Sequence, residues 1–226
     1  MEQERDGFTD AGDQVPAMTG PIVRIRSYTF DEFVDRVRSF HGFEAIGVII
    51  GGFMVDLAYS RLPEKGLFDA VCETPKCLPD AVQLLTPCTL GNGWVKVINM
   101  GRFALTLYDK ETGEGIRVFI DPAKISAWPE LEAWFFKLKT KKEQALDRLL
   151  DEARRAGAGM CGIQRVKVVD WVRAQRRRGQ FAVCPVCKEA YPFADGAICL
   201  ACQGKGLYET TERAPGLYFV LIDPVR

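Results

Sequence analysis

Eight cysteines and a single histidine, His41, set the chemistry open to this chain of 226 residues. Four of the cysteines form two knuckles, Cys184-x-x-Cys187 and Cys199-x-x-Cys202, in the stretch CPVCKEAYPFADGAICLACQG. Two such pairs separated by eleven residues can wrap four thiolates tetrahedrally around one zinc ion, with a hairpin spanning the gap. Pro192 and Gly196 supply the turns, which suits a zinc ribbon or treble-clef finger. The stretch has too few apolar residues for a core of its own, so metal binding is expected to supply much of its folding energy. Four thiol ligands leave no open coordination position, which makes the expected zinc structural rather than catalytic. The competing reading is a pair of redox dithiols, but a C-x-x-C of that kind belongs beside a βαβ unit, and none is visible here.

The second group is looser. Cys72, Cys77 and Cys88 flank an apolar stretch in CETPKCLPDAVQLLTPCTLGNGW, with Asp80 and Gln83 inside it. Taken singly, each thiol reads as a small buried hydrophobe, because free cysteine is among the most buried residue types. Context favours a second reading for two of them. Cys77 precedes a helix opened by Pro79, where exposed N–H groups and the dipole favour a thiolate. Cys88 lies in a turn, where loops can present functional groups. Histidine and cysteine from separate loops can converge on a borderline-soft metal, with Asp80 or Glu73 as a further ligand or proton shuttle. Spacing leaves both readings open.

The elements that must position these residues are legible from periodicity. Residues 1–20 carry none and read as a disordered leader. Thr29 and Glu32 form a T-x-x-E capping box ahead of Phe30, Phe33, Val34, Val37 and Phe40, an amphipathic helix ending at His41-Gly42. A second helix is expected from about 45 to 62, apolar nearly all round, with Gly47, Gly51 and Gly52 as points of close approach. A short helix, PDAVQLLT, follows. WVKVINM, GRFALTLYD and GIRVFID then alternate between turns, which predicts an antiparallel meander of at least three strands. Helices are expected at 129–139 and 141–156, the second with Leu146, Leu149, Leu150 and Ala153 on one face. GAGMCGI reads as a loop or linker. The fold class is therefore α+β, helices packed on an antiparallel sheet, with a small C-terminal finger. The expected boundaries are a core at 21–160, a linker and helix at 161–180, and a finger at 181–226 closing on a strand in GLYFVLIDPVR.

Composition narrows the function classes. Lys+Arg and Asp+Glu number 30 each, so no global field draws the chain to nucleic acid or anionic lipid. Arg173, Arg176, Arg177 and Arg178 cluster upstream of the finger and could contact nucleic acid. Without interleaved aromatics they read better as cations at a helix end. The longest apolar stretch, AIGVIIGGFMVDLA, is too short and glycine-rich to span a bilayer. The first residues are acidic and polar rather than an apolar signal. The expectation is a cytoplasmic protein, with no membrane partner and nucleic acid only a minor alternative.

Residues 37–121 resemble the E-type subunits of formylmethanofuran dehydrogenase as a family, through FHGFEAIGVIIGGFMVDLA, CETPKCLPDAVQLLTPCTLGNG and GRFALTLYDKETGEGIRVFIDP. The four-cysteine stretch is similar to the auxiliary treble-clef zinc module of many members. The resemblance implies an α+β core, self-association as a homodimer, and kinship to a component of the tungsten or molybdenum enzyme that fixes carbon dioxide onto methanofuran. It places the family's first histidine on His41, its glutamate and threonine on Glu73 and Thr74, and its central cysteine on Cys77. Its aspartate and glutamine fall on Asp80 and Gln83, and its Cys-Thr pair on Cys88 and Thr89. The chain departs from the family's His-Gly-His-x-Cys-Pro-Gly: it reads His41-Gly42-Phe43-Glu44-Ala45-Ile46-Gly47, so two ligand types are missing, with Glu44 as a substitute oxygen donor. The implied site is a cleft of His41, Glu73, Cys77, Asp80 and Cys88. In it Cys77 would be nucleophile or soft ligand, His41 ligand or general base, and Asp80 its orienting group, with a second zinc or other divalent metal as the core cofactor. The competing expectation is a non-catalytic module that docks other dehydrogenase components.

Overall fold

The computed structural model describes residues 22–63, 66–174 and 179–208. The expected leader at 1–20, Arg176 to Arg178 and the strand in GLYFVLIDPVR lie outside these residues. The chain divides into two units after Arg173.

The first unit begins with a small hairpin, β1 (Arg24–Ile25) and β2 (Tyr28–Thr29), which runs directly into helix α1 (Phe30–His41). The capping box is present: the Glu32 carboxylate accepts from the Thr29 N–H at 2.7 Å and the Thr29 hydroxyl accepts from the Glu32 N–H at 3.3 Å. Gly42 ends the helix at φ 94°, donating its N–H to the Arg38 carbonyl at 3.0 Å. Phe30, Phe33, Val34 and Val37 are buried, whereas Phe40 turns out to solvent at 53% exposure because the helix leaves the core before its last turn.

Helix α2 (Ile46–Tyr59) is the centre of the unit, and eleven of its fourteen residues are buried. Its glycines are contact surfaces: a Cβ on Gly52 would run into the Phe33 ring, so α1 seats against bare backbone there. Strand β3 (Phe68–Cys72) follows, then α3 (Leu78–Leu85), β4 (Val95–Val97), β5 (Ala104–Asp109) and β6 (Glu114–Ile120). Short helices α4 (Pro122–Ile125) and α5 (Pro129–Phe135) lead to α6 (Leu146–Ala156), strand β7 (Cys161–Lys167) and α7 (Asp170–Arg173). The five strands make one sheet in the order β4-β3-β5-β6-β7, with α2 packed on one face through Leu105, Leu107, Ile116 and Val118.

Two expectations need correction. WVKVINM does not pair with the next strand: β3 sits between β4 and β5, parallel to β4 and antiparallel to β5. The meander is instead β5-β6-β7. Strand β3 was missed because four of its five residues are buried, so it shows a solid apolar run rather than alternation. The second correction is the expected linker from residue 161. That stretch opens with β7, which pairs with β6 over seven residues, from Cys161 opposite Ile120 to Lys167 opposite Glu114. Its outer residues are exposed and polar, as suits an edge strand, and that disguised it as a loop. The helices at 129–139 and 141–156 are shorter than expected, and Leu146 is exposed.

The second unit contains the hairpin β8 (Phe181–Val183) and β9 (Ala190–Pro192), followed by a single helical turn at Ala201–Lys205.

Candidate functional site

Three of the five residues expected in one cleft come together. His41 ends α1, and its Nδ1 lies 2.6 Å from Asp80 Oδ2, in the first turn of α3. Cys77 caps that same helix with φ 62°, a left-handed backbone that few non-glycine residues adopt. Its sulfur presses on α2 where Gly47 leaves room: a Cβ on Gly47 would stand 2.7 Å from Cys77 Sγ and 3.3 Å from the Trp134 ring. His41, Cys77 and Trp134 line a cleft of about 830 Å³, closed on its far side by the segment between α5 and α6.

An Nδ1–H donated to the Asp80 carboxylate fixes the His41 tautomer and leaves Nε2 as an acceptor, with no hydrogen-bond partner among the described residues. The Phe43 ring stands edge-on to His41 at 4.9 Å. Glu44, the substitute oxygen ligand, is spent elsewhere: Arg38 donates to it twice, at 2.8 and 2.5 Å. The Cys77 thiolate expectation is reversed. Burial pushes the thiol up, the Asp80 charge adds to that, and Lys137 and Lys76 only partly offset the two. The helix N-terminus does not win because the thiol is largely desolvated.

Glu73 and Cys88 are not in the cleft. Glu73 follows β3 on the sheet face away from α2, where Arg117 grips it with two hydrogen bonds, at 2.6 and 3.0 Å, and Arg102 adds an ion pair at 2.7 Å. Burial pushes its carboxyl up, but the two guanidinium groups outweigh burial and hold it below the usual value. Cys88 is fully buried, with its sulfur 3.4 Å from the Phe68 carbonyl. Cys72 is equally buried, and its thiol is pushed up to about 12 by burial and by the neighbouring Cys88. The other polar positions pin loops: Gln83 accepts from the Leu90 N–H, Thr89 from the Asn92 N–H and Thr74 from the Lys76 N–H. Arg173, read as part of a basic cluster, donates to the Lys110 and Glu111 carbonyls and pairs with Asp170.

The sequence reading missed Trp134 and the lysines that share the cleft: Lys76, Lys137, Lys139 and Lys141. The signal available was the repeated lysine in KLKTKK, directly after the aromatic run WFF.

In the second unit, Cys184, Cys187, Cys199 and Cys202 offer four sulfurs that all lie within 4.8 Å of one another, and they are the one such donor group among the described residues. Cys187 and Cys199 Sγ are 3.6 Å apart, close to the edge of about 3.8 Å expected for a tetrahedron with Zn–S bonds near 2.3 Å. The first knuckle turns at Lys188, φ 66°, whose N–H returns to the Cys184 carbonyl. Tyr191 donates its hydroxyl to the Gly196 carbonyl, and Gln203 ties its amide to the carbonyls of Asp195 and Ile198. Burial pushes the Cys184 thiol up, but N–H groups of Cys199, Cys187 and Val186 outweigh it and bring it down to about 6, toward the thiolate a metal needs. The geometry fits a structural zinc.

The core does not offer an equivalent set. With Asp80 committed to His41, the donors facing the cleft are His41 Nε2 and Cys77 Sγ, one short of the three protein ligands that even an open zinc site uses. The residues present therefore do not fit a resident core metal.

Comparison with known proteins adds the following. The family described as "FmdE, Molybdenum formylmethanofuran dehydrogenase operon" matches residues 40–170, and the "FmdE treble clef zinc finger" matches residues 175–209. A crystal structure of an FmdE-like protein of tungsten formylmethanofuran dehydrogenase from Syntrophus aciditrophicus is 50% identical. It superposes with a TM-score of 0.78 over 84% of this chain and 100% of that one. A probable S-adenosyl-L-methionine-binding protein of Archaeoglobus fulgidus is 30% identical over 106 residues, 43% of this chain. The match spans only 29% of that relative's length.

Proposed function

The chain belongs to the FmdE family, and from that premise we propose that it is an accessory protein of a formylmethanofuran dehydrogenase-type tungsten or molybdenum system. Its finger is a zinc-held structural element, and its working site is the core cleft lined by His41 and Cys77. The observation that carries this reading is the His41–Asp80 contact at 2.6 Å. A carboxylate-held imidazole with a free Nε2 beside a large cleft is the arrangement of a general base, which takes a proton from a bound group and later returns it. Cys77, held as a neutral thiol, is placed to donate a hydrogen bond or a proton rather than to attack as a thiolate.

A second reading, a docking module for a second copy or for other dehydrogenase components, is favoured by exposed apolar residues in both units. Phe43 and Leu138 stand at the core cleft, and Phe181, Val183 and Phe193 lie on the finger.

The test is reconstitution. The zinc-loaded chain, His41→Ala and Cys77→Ser are each added to a dehydrogenase preparation lacking this component, and metal per chain is measured alongside. The cleft reading expects restoration by the wild type, roughly tenfold or greater loss in the variants and one zinc in all three proteins. Full restoration by both variants favours docking. Two metals in the wild type and one in the variants would replace the acid–base reading with a core metal.

A further inference from the structure

The chain as a whole is neutral, yet one concavity is not. Lys76 enters the cleft from the segment between β3 and α3, and Lys137 and Lys141 enter from the segment between α5 and α6. None of the three is paired with a carboxylate among the described residues, whereas Lys139 is paired with Glu130 at 2.8 Å. The acids nearby are already answered. Glu44 is bound by Arg38, Asp80 by His41, and Glu143 by the N–H and hydroxyl of Thr140 at 2.8 and 2.7 Å. Three uncompensated cations around one hollow repel one another, and the field between low-dielectric walls concentrates there.

Backbone strain marks the same place. The described core has three non-glycine residues at positive φ, and two of them, Cys77 at 62° and Lys137 at 59°, line this cleft. Strain of this kind persists where the surroundings over-determine it, and it gathers at ligand sites. At Lys137 it sets the ammonium 5.0 Å from the Trp134 ring centroid. The wall is thus an aromatic plane with a cation over it, and Leu138 beside it is apolar and 69% exposed.

We propose that the cleft binds a small polyanion: a molecule with a flat or apolar body that lies on Trp134 and at least two acidic groups, carboxylate or phosphate, held by Lys76, Lys137 and Lys141. The site deepens the function proposed above, since the bound molecule would be what His41 Nε2 acts on.

The test uses the full, zinc-loaded chain and 1,3,6,8-pyrenetetrasulfonate, a flat aromatic tetra-anion followed by its own fluorescence, with uncharged pyrenemethanol as the comparison. Saturable binding of one tetrasulfonate per chain is expected, weakening as salt rises. The Lys137→Met, Lys141→Met double variant should bind roughly tenfold more weakly or worse, and Lys142→Met, outside the cleft, should bind as the wild type does. Bound tetrasulfonate should also slow iodoacetamide labelling of Cys77. Absence of saturable binding, equal binding by the double variant, or equal binding of pyrenemethanol overturns the proposal. Such a failure stays separate from failure of the His41 reading, because reconstitution with His41→Ala needs no knowledge of the ligand. Conversely, the lysines should still hold the tetrasulfonate in His41→Ala.

Discussion

Asp80 presses on two neighbours: its Oδ2 holds the His41 ring, and its charge opposes ionisation of the Cys77 thiol, with Lys137 and Lys76 pulling the other way. The reactivity of one sulfur therefore reports the balance of charge in the cleft. At pH 8, Asp80→Asn should speed iodoacetamide labelling of Cys77 by roughly threefold and Lys137→Met should slow it by a similar factor. Mass-spectrometric labelling rates at Cys77 decide this, and a shift of both variants in one direction would refute the assignment. The sign carries over to stability. A thiol that keeps its proton better when folded contributes stability that is complete below the pH where the unfolded thiol ionises. That contribution is lost as pH rises through the folded value. The identities of these residues were legible in the sequence, and so was the Asp80–His41 partnership as an expectation. What Cys77 does electrically was not, because desolvation comes from Gly47 and Trp134, far away in sequence and close in space.

Helix α5 has seven residues and no side-chain cap of its own. Its first turn is satisfied by a residue from another helix. The Glu152 carboxylate on α6 accepts the N–H groups of Glu130 and Leu131 at 2.9 and 3.0 Å, in a buried position. A buried anion at a helix start satisfies two orphan donors and meets the positive end of the dipole. Glu152→Ala should cost about 2 kcal/mol, with the Glu130 and Leu131 amides exchanging faster than the rest of the core. Urea unfolding and amide hydrogen exchange measure the two effects, and Trp134 and Lys137 should loosen together as α5 frays. No local pattern announces a cap supplied from twenty-two residues downstream, whereas the Thr29–Glu32 box, complete within four residues, was plain. The finger lies at the same legible extreme, since its four ligands and their spacing sit within nineteen residues.

Across the whole molecule, the α+β class and the division into core and finger were legible, but the order of the sheet was not. Placing β3 between β4 and β5 depends on a parallel pairing across α3, and adjacency along the chain favours the simpler meander. The functional surface was half legible for the same reason. His41 and Cys77 carry recognisable chemistry, while Lys137 and Lys141 acquire meaning only once α5 and α6 bring their connecting segment over the cleft. Strand β7 has a consequence for any attempt to work with the core alone. A fragment of residues 22–160 keeps every helix that lines the cleft, but it strips the whole length of β6 of its partner. The bared row of N–H and C=O groups would template pairing with other chains, so that fragment should aggregate on refolding while residues 22–173 stay soluble, as light scattering during dilution from urea would show. The last strand thus acts as a seal against self-templating, and a ribosome must deliver it before the newly made core is safe from its neighbours.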